Sequence, residues 1–352
     1  MRKNYIDNIR ITCILLLFPF HTCRIFTEEN FYVHIGQMNW CDALVRFMSP
    51  WFMPILFLLA GMSSYLSLAK RTKEQYIKER VSKLLIPCIS GVLLTVPIQT
   101  YYAERYHNHF SGSYLEQLGL FFTKETDLSG YTGGFTPAHL WFLLVLFLAS
   151  IITLPAILKI RNMKAERFKH LENPLVLFMI LFILIASSFF DIAGEEIIKY
   201  LLLLIIGAVF CANEKILDTI REYRRWYLGI MVITSVLSVL YSNKMIGEPH
   251  IVLEYLNYYG RGWSAILAIL GYGMKYYNGS NKVLGYFRTA SFPIYEVHQT
   301  VLVVVAYYVV GFTSNFLGQY LGIIILTFIL SIIVYEVLRR FKVTRWLSGM
   351  KV

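Results

Sequence analysis

The sequence predicts an all-α, polytopic integral membrane protein with about ten transmembrane helices and both termini in the cytoplasm. Three observations carry that expectation. Of its 352 residues 57% are hydrophobic and only 16% charged, a balance foreign to ordinary soluble domains. Long uncharged runs such as WFMPILFLLAGMSSYLSLA recur along the chain. The basic residues gather in alternate connections between these runs instead of spreading evenly.

A hydrocarbon core about 30 Å thick needs about 20 mostly apolar residues per helix, which places spans at 9–26, 44–69, 84–102, 138–158, 174–190, 197–213, 226–242, 258–274, 289–310 and 316–338. The first follows MRKNYIDNIR and imitates a secretory signal, but no small-residue cleavage site follows it and HTCRIF is bulky and basic, so it is retained as a span. The second contains the run quoted above, and the fourth opens with AHLWFLLVLFL. The eighth is the least apolar, because LNYYGRGWSAILAILGYGMKYY mixes glycines, tyrosines and an arginine into its hydrophobic stretch. The ninth holds SFPIYEVHQ. One sizeable loop, about 103–137, carries HNHFSGSY and DLSGYTGGFTP, the composition of a turning cap or of a simple connector. No linker or repeat divides the chain, so 1–352 reads as a single transmembrane domain with no appended soluble domain.

Charge then sets the orientation. The formal net charge of +11 would suit nucleic acid in a soluble protein, yet here it sorts by loop. On the side of both termini lie Lys70, Arg71, Lys73, Lys78, Arg80 and Lys83 in one connection, with comparable clusters at 159–169, 215–225, 275–288 and 339–351. The opposite loops hold only Arg105, Lys124 and Lys244. By the positive-inside rule both termini are cytoplasmic, and the basic balance is topology, with no nucleic-acid partner implied. Cys13, Cys23, Cys41, Cys88 and Cys211 form no CxxC pair and are odd in number. A disulfide framework or a metal site is therefore not expected, and buried small hydrophobes are.

The first span carries the chemistry. In NIRITCILLLFPFH, Arg10 and His21 stand eleven positions apart, about 16 Å along a helix and about 20° around it. They share a face, with Asp7 and Arg24 close to the same stripe. Ionisable groups at that depth normally face a protein interior or a water-filled pathway, and Pro19 removes a helical hydrogen bond two residues before His21. One reading pairs Arg10 with Asp7 and makes His21 a helix-to-helix hydrogen-bonder; the continuous polar stripe favours a functional site. A second intramembrane histidine, His298, follows Arg288 by ten residues in the ninth span, at a depth similar to that of His21, with Glu296 and Gln299 beside it.

Arginine, ten residues, then histidine resembles the signature of the acyltransferase family 3 membrane proteins. PWFMPILFLLAGMSSY, ERVSKLLIP, HLWFLLVLFL and SFPIYEVHQ are similar to the family's second, third, fourth and ninth spans, so the resemblance covers nearly the whole chain. YIDNIR, FPFH and LLAGMSSYL most resemble its glucan biosynthesis protein C group, implicated in succinylating periplasmic glucans. The resemblance implies ten spans and transfer of an acyl group from cytoplasmic acyl-coenzyme A, acetyl or succinyl, to an acceptor outside. It also implies an arginine-x-x-arginine element before the third span. Here Arg80 is followed by Lys83, which keeps both charges but loses one planar, bidentate phosphate clamp. With Arg10 and Arg71 these residues would hold the coenzyme's phosphates. Arg10 would guard the entrance, and His21 would meet the thioester at mid-membrane. As general base neutral His21 would take the proton of an acceptor hydroxyl; an acyl-histidine intermediate is the competing route. An imidazole, with its ordinary pKa of about 6.5, suits either task.

On the outer side His139 and Trp141 stand at the mouth of the fourth span, where the resemblance implies that Trp141 lines the acceptor or acyl path. An interfacial aromatic belt is the ordinary alternative. His298, Arg24 and Arg261 join this acceptor set, the two arginines suited to a carboxylate, to sugar hydroxyls or to an anionic membrane lipid. The expected function is an O-acyltransferase of the inner cell membrane acting on an extracytoplasmic carbohydrate or glycoconjugate. A multi-pass secondary transporter using the same intramembrane histidines and arginines is the alternative.

Overall fold

The structure is a computed structural model that describes residues 3–27, 31–123, 134–190, 196–242, 244–245, 247 and 249–351. Arg2, Lys124 and residues 127–133 of the DLSGYTGG stretch lie outside the described residues. In chain order the helices are α1 (Asn4–Ile25), α2 (Asn39–Met48), α3 (Phe52–Ser67), α4 (Lys73–Arg80), α5 (Ile86–Leu94), α6 (Val96–His107), α7 (Tyr114–Phe121), α8 (Trp141–Ile152), α9 (Leu154–Arg161) and α10 (Pro174–Ser187). They continue with α11 (Ile197–Ala212), α12 (Glu214–Glu222), α13 (Arg224–Ser242), α14 (Ile251–Tyr276), α15 (Lys282–Val309), α16 (Phe316–Leu338) and α17 (Lys342–Leu347). A π turn, Val81–Leu85, joins α4 to α5, and a single 3₁₀ turn, Ala138–Leu140, leads into α8.

Every one of the ten expected spans falls on helix. Among the described residues six helical stretches are long and apolar enough to cross a membrane, and nine are if each bent pair counts as one span. The bends have chemical causes. Pro155 opens α9, which turns 50° from α8. Pro174 opens α10 at 93° to a second 3₁₀ segment, Ala165–Glu172, and Asn213 caps α12 at 100° to α11 through a bond from Lys215 N to its side chain. The remaining expected span, 258–274, lies in α14, a helix of 26 residues. Asn257, Tyr258, Tyr259 and Arg261 keep it below the apolarity of the others.

The chain divides into two compact units. One comprises Met1–Cys13, Arg46–Ile77 and Leu148–Leu284. Within it α3 and α11 approach so closely that a Cβ on Gly61 would overlap the Leu204 carbonyl and one on Gly207 the Leu58 carbonyl. Small residues permit such contact where no water-driven burial pulls membrane helices together. The start of α1 is tied down by Asn8, whose amide donates to the carbonyls of Tyr277 (2.7 Å) and Gly279 (2.9 Å) just beyond α14. Buried Lys199 pairs with Glu196, which also accepts from the Tyr259 hydroxyl.

The other unit comprises Ile14–Val45, Lys78–Phe147 and Gly285–Val352. Phe18 of α1, Ala290 and Ile294 of α15 and Tyr335 of α16 form a buried core within it. The chain end after α16 folds back here: Ser90 of α5 donates to the Leu347 carbonyl at 2.8 Å. Gly349, at φ +63°, rests its backbone on Pro87 and the Phe292 ring.

Candidate active site

Three imidazoles that are distant in sequence meet inside this second unit. His21 comes from the last turns of α1, His298 from the middle of α15 and His139 from the 3₁₀ turn before α8. The His298 ring centroid lies 5.2 Å from that of His21 and 5.2 Å from that of His139. All three are buried, His298 completely. Phe18 sets its edge 5.8 Å from His298, and Phe31 stacks at 6.4 Å on His21, giving the cluster an aromatic lining.

The local backbone serves this meeting. Ala138 adopts φ +49°, the left-handed region that costs a non-glycine residue about 1–3 kcal/mol, and the Thr136 hydroxyl accepts from its N–H at 3.0 Å. That turn delivers His139 to α15. Its ring nitrogen Nε2 donates to the Glu296 carbonyl at 2.8 Å, while the Tyr295 hydroxyl donates back to the His139 carbonyl at 2.5 Å. His298 Nδ1 donates to the Tyr295 carbonyl at 2.6 Å. His139 stands at the start of the fourth expected span, and its side chain packs into the histidine cluster, as does that of His298.

Beside the cluster runs a buried amide chain of which the sequence reading noted only Gln299. The Thr95 carbonyl can only accept, so the Thr300 hydroxyl donates to it (3.2 Å) and in turn accepts from Gln99 Nε2 (2.7 Å). Gln99 Oε1 then accepts from Gln299 Nε2 (3.2 Å). The direction is fixed from the backbone outward, leaving Gln299 Oε1 buried and without a partner among the described residues. The available signal was Gln99 itself, a polar residue in the expected third span.

The other expected site residues divide between the units. In the first unit Arg10 reaches Asp7 (3.3 Å) and donates to Ser63 (2.9 Å), so the pairing weighed as the plain alternative is made, with a hydroxyl added. Arg71 donates to Ser67 at 2.6 Å, and Arg261 is buried. In the second unit Lys83 sits within the π turn and pairs with Glu79 at 2.6 Å, while Arg80 is the residue immediately before it. Inserted π turns recur at functional sites. Arg24 lies 5.2 Å over the Phe31 ring, and half-buried Trp141 opens α8. Among the described residues no group of three or more His, Cys, Asp or Glu side chains is arranged as a metal-ligand set.

Apolar helices enclosing a fixed cluster of imidazoles define an integral membrane protein with a polar reaction or transport centre. Comparison with known proteins resolves the class. Residues 3–336 match the family model described as "Acyltransferase domain", and the chain belongs to that family of membrane acyltransferases. Its relatives include the Glucans biosynthesis protein C of Escherichia coli O81 (strain ED1a), of strain K12 and of O157:H7. Each is 26% identical over 379 aligned positions that cover 99% of this chain and 95% of the relative. No solved structure matches the chain.

Proposed function

We propose that this protein is an inner-membrane O-acyltransferase that moves an acetyl or succinyl group from cytoplasmic acyl-coenzyme A to a hydroxyl of an extracytoplasmic carbohydrate or glycoconjugate. Both termini lie in the cytoplasm in this reading. The observation that supports it most is His21 set beside His298 at 5.2 Å within apolar helices, in a chain of an acyltransferase family. Arg80 and Lys83 hold the coenzyme's phosphates, Arg80 as a planar fork and Lys83 as a point charge. A slender pantetheine arm brings the thioester to mid-membrane, which the charged nucleotide does not enter.

There neutral His21 takes the proton of the acceptor hydroxyl while its oxygen bonds to the thioester carbonyl carbon. The C–S bond breaks, and the leaving thiolate takes that proton back. A positioned base of this kind is worth about 10²- to 10⁴-fold in rate. Trp141 and Arg24 line the acceptor path, suited to a sugar face and to hydroxyl or carboxylate groups.

The test is coenzyme A release by purified, detergent-solubilised protein given acetyl- or succinyl-coenzyme A, with His21→Ala alongside. Release by wild type that falls at least about 100-fold in the variant supports the reading, and the preferred thioester names the acyl group. Release unchanged without His21, or neither binding nor release of either thioester by wild type, rejects it in favour of a transporter.

A further inference from the structure

Two of the three imidazoles have their protons placed by groups that can only accept. Because the Tyr295 carbonyl takes the His298 Nδ1 hydrogen, His298 Nε2 is a bare lone pair. Because the Glu296 carbonyl takes the His139 Nε2 hydrogen, His139 Nδ1 is bare in the same way. Both bare nitrogens are buried without a partner among the described residues, and so is His21 Nδ1. Leaving such an atom unsatisfied costs about 1–3 kcal/mol. A cluster with that many orphans is built to receive hydrogen.

The spacing says which hydrogen. A ring nitrogen sits about 1.15 Å from its centroid, so an in-line N–H···N bond of about 2.9 Å separates two centroids by about 5.2 Å. That is the separation of His21 and His298, with the ring planes 47° apart. Rotation of His21 about its Cβ–Cγ axis swings Nδ1 while leaving the centroid almost in place.

We propose that His298 is the positioning residue for His21: its bare Nε2 accepts the Nδ1 hydrogen of His21 and so selects the tautomer whose Nε2 is free to act as base. The proposal rests on the acyl-transfer reading above. When His21 Nε2 takes the acceptor's proton, the imidazolium keeps its Nδ1–H on His298 until the leaving thiolate recovers the proton, and His298 stays neutral throughout. An imidazole thus stands where hydrolase triads place a carboxylate. A neutral acceptor avoids the cost of a lone buried anion in the membrane interior.

Two substitutions separate this role from a structural one. His298→Asn keeps an N–H near the Tyr295 carbonyl but removes the acceptor at the ε position, whereas His298→Gln restores an oxygen there and gives up the Tyr295 bond. The full-length chain in detergent is read by coenzyme A release and by the ¹⁵N-imidazole spectrum, with the His21 signals assigned by their loss in His21→Gln. The expected result is a protonated Nδ1 and bare Nε2 at His21 in wild type. In His298→Asn release falls about 100-fold or more and that tautomer is lost; in His298→Gln release recovers at least tenfold over Asn and the tautomer returns. Wild-type turnover and spectrum in His298→Asn, or a wild-type His21 that carries its proton on Nε2, would overturn the proposal. If wild type neither binds nor releases either thioester the acyl-transfer reading fails, and the spectrum still decides the tautomer on its own.

Discussion

Replacing Gln99 with leucine tests the buried amide chain, and its cost follows from the bonds. Gln99 donates to Thr300 and accepts from Gln299, and all three residues are buried. Leucine removes two hydrogen bonds worth about 0.5–1.5 kcal/mol each. It also strips Gln299 of its last partner, so that both ends of a buried amide are orphaned at a further cost of about 1–3 kcal/mol. The sum is about 2–6 kcal/mol of lost stability. Gln99→Leu/Gln299→Leu behaves differently. Removing both amides leaves the Thr300 hydroxyl donating to the Thr95 carbonyl and orphans nothing. The double variant is therefore expected to be more stable than Gln99→Leu alone, with a coupling of at least about 1 kcal/mol. Thermal unfolding in detergent, followed by the loss of monodisperse protein on heating, gives the comparison. Purely additive losses, or a Gln99→Leu variant that melts with wild type, would refute the directional chain.

Two further outcomes follow from close backbone contacts. Gly207→Val drives two methyl groups into the Leu58 carbonyl that already excludes a Cβ; overpacking of this kind costs about 1–3 kcal/mol or more, and the variant is expected to lose its folded yield in detergent while Gly229→Val, whose Cβ meets nothing, does not. Gly349→Ala combines a left-handed φ of +63° with contact on Pro87 and Phe292. The left-handed backbone alone costs about 1–2 kcal/mol, so limited proteolysis is expected to release the segment after α16 faster in this variant than in wild type.

Much of the fold was legible because lipid leaves a chain few choices: each backbone amide must be satisfied within its own helix, so uncharged runs of sufficient length announce their helices. What the runs do not announce is where a helix bends. The hydropathy of 138–158 is continuous, yet Pro155 splits it into α8 and α9. The eighth span is the reverse case, a single long helix whose polar residues weakened its signal. The site divides along the same line. The stripe on α1 is visible in NIRITCILLLFPFH because eleven residues are about three helical turns, and Arg10 is held there by Asp7 and Ser63. That His139 joins His21 and His298 is invisible in the sequence, since it depends on a left-handed Ala138 and on a carbonyl 157 positions away.

The proton inventory of that cluster reaches further than its residue list. Three histidines in one place would, from composition alone, suggest three interchangeable bases. The carbonyls of Tyr295 and Glu296 remove that equivalence, because each takes one N–H and turns its imidazole into a pure acceptor. Among the described residues, no backbone carbonyl takes a hydrogen from the buried Nδ1 of His21. A base that gains a proton and returns it, as His21 does in the proposed reaction, needs its second nitrogen free of such a carbonyl. The two histidines beside it, fixed in tautomer and packed against Phe18 and Tyr295, are in the proposed reaction suited to directing a proton and unsuited to competing for it.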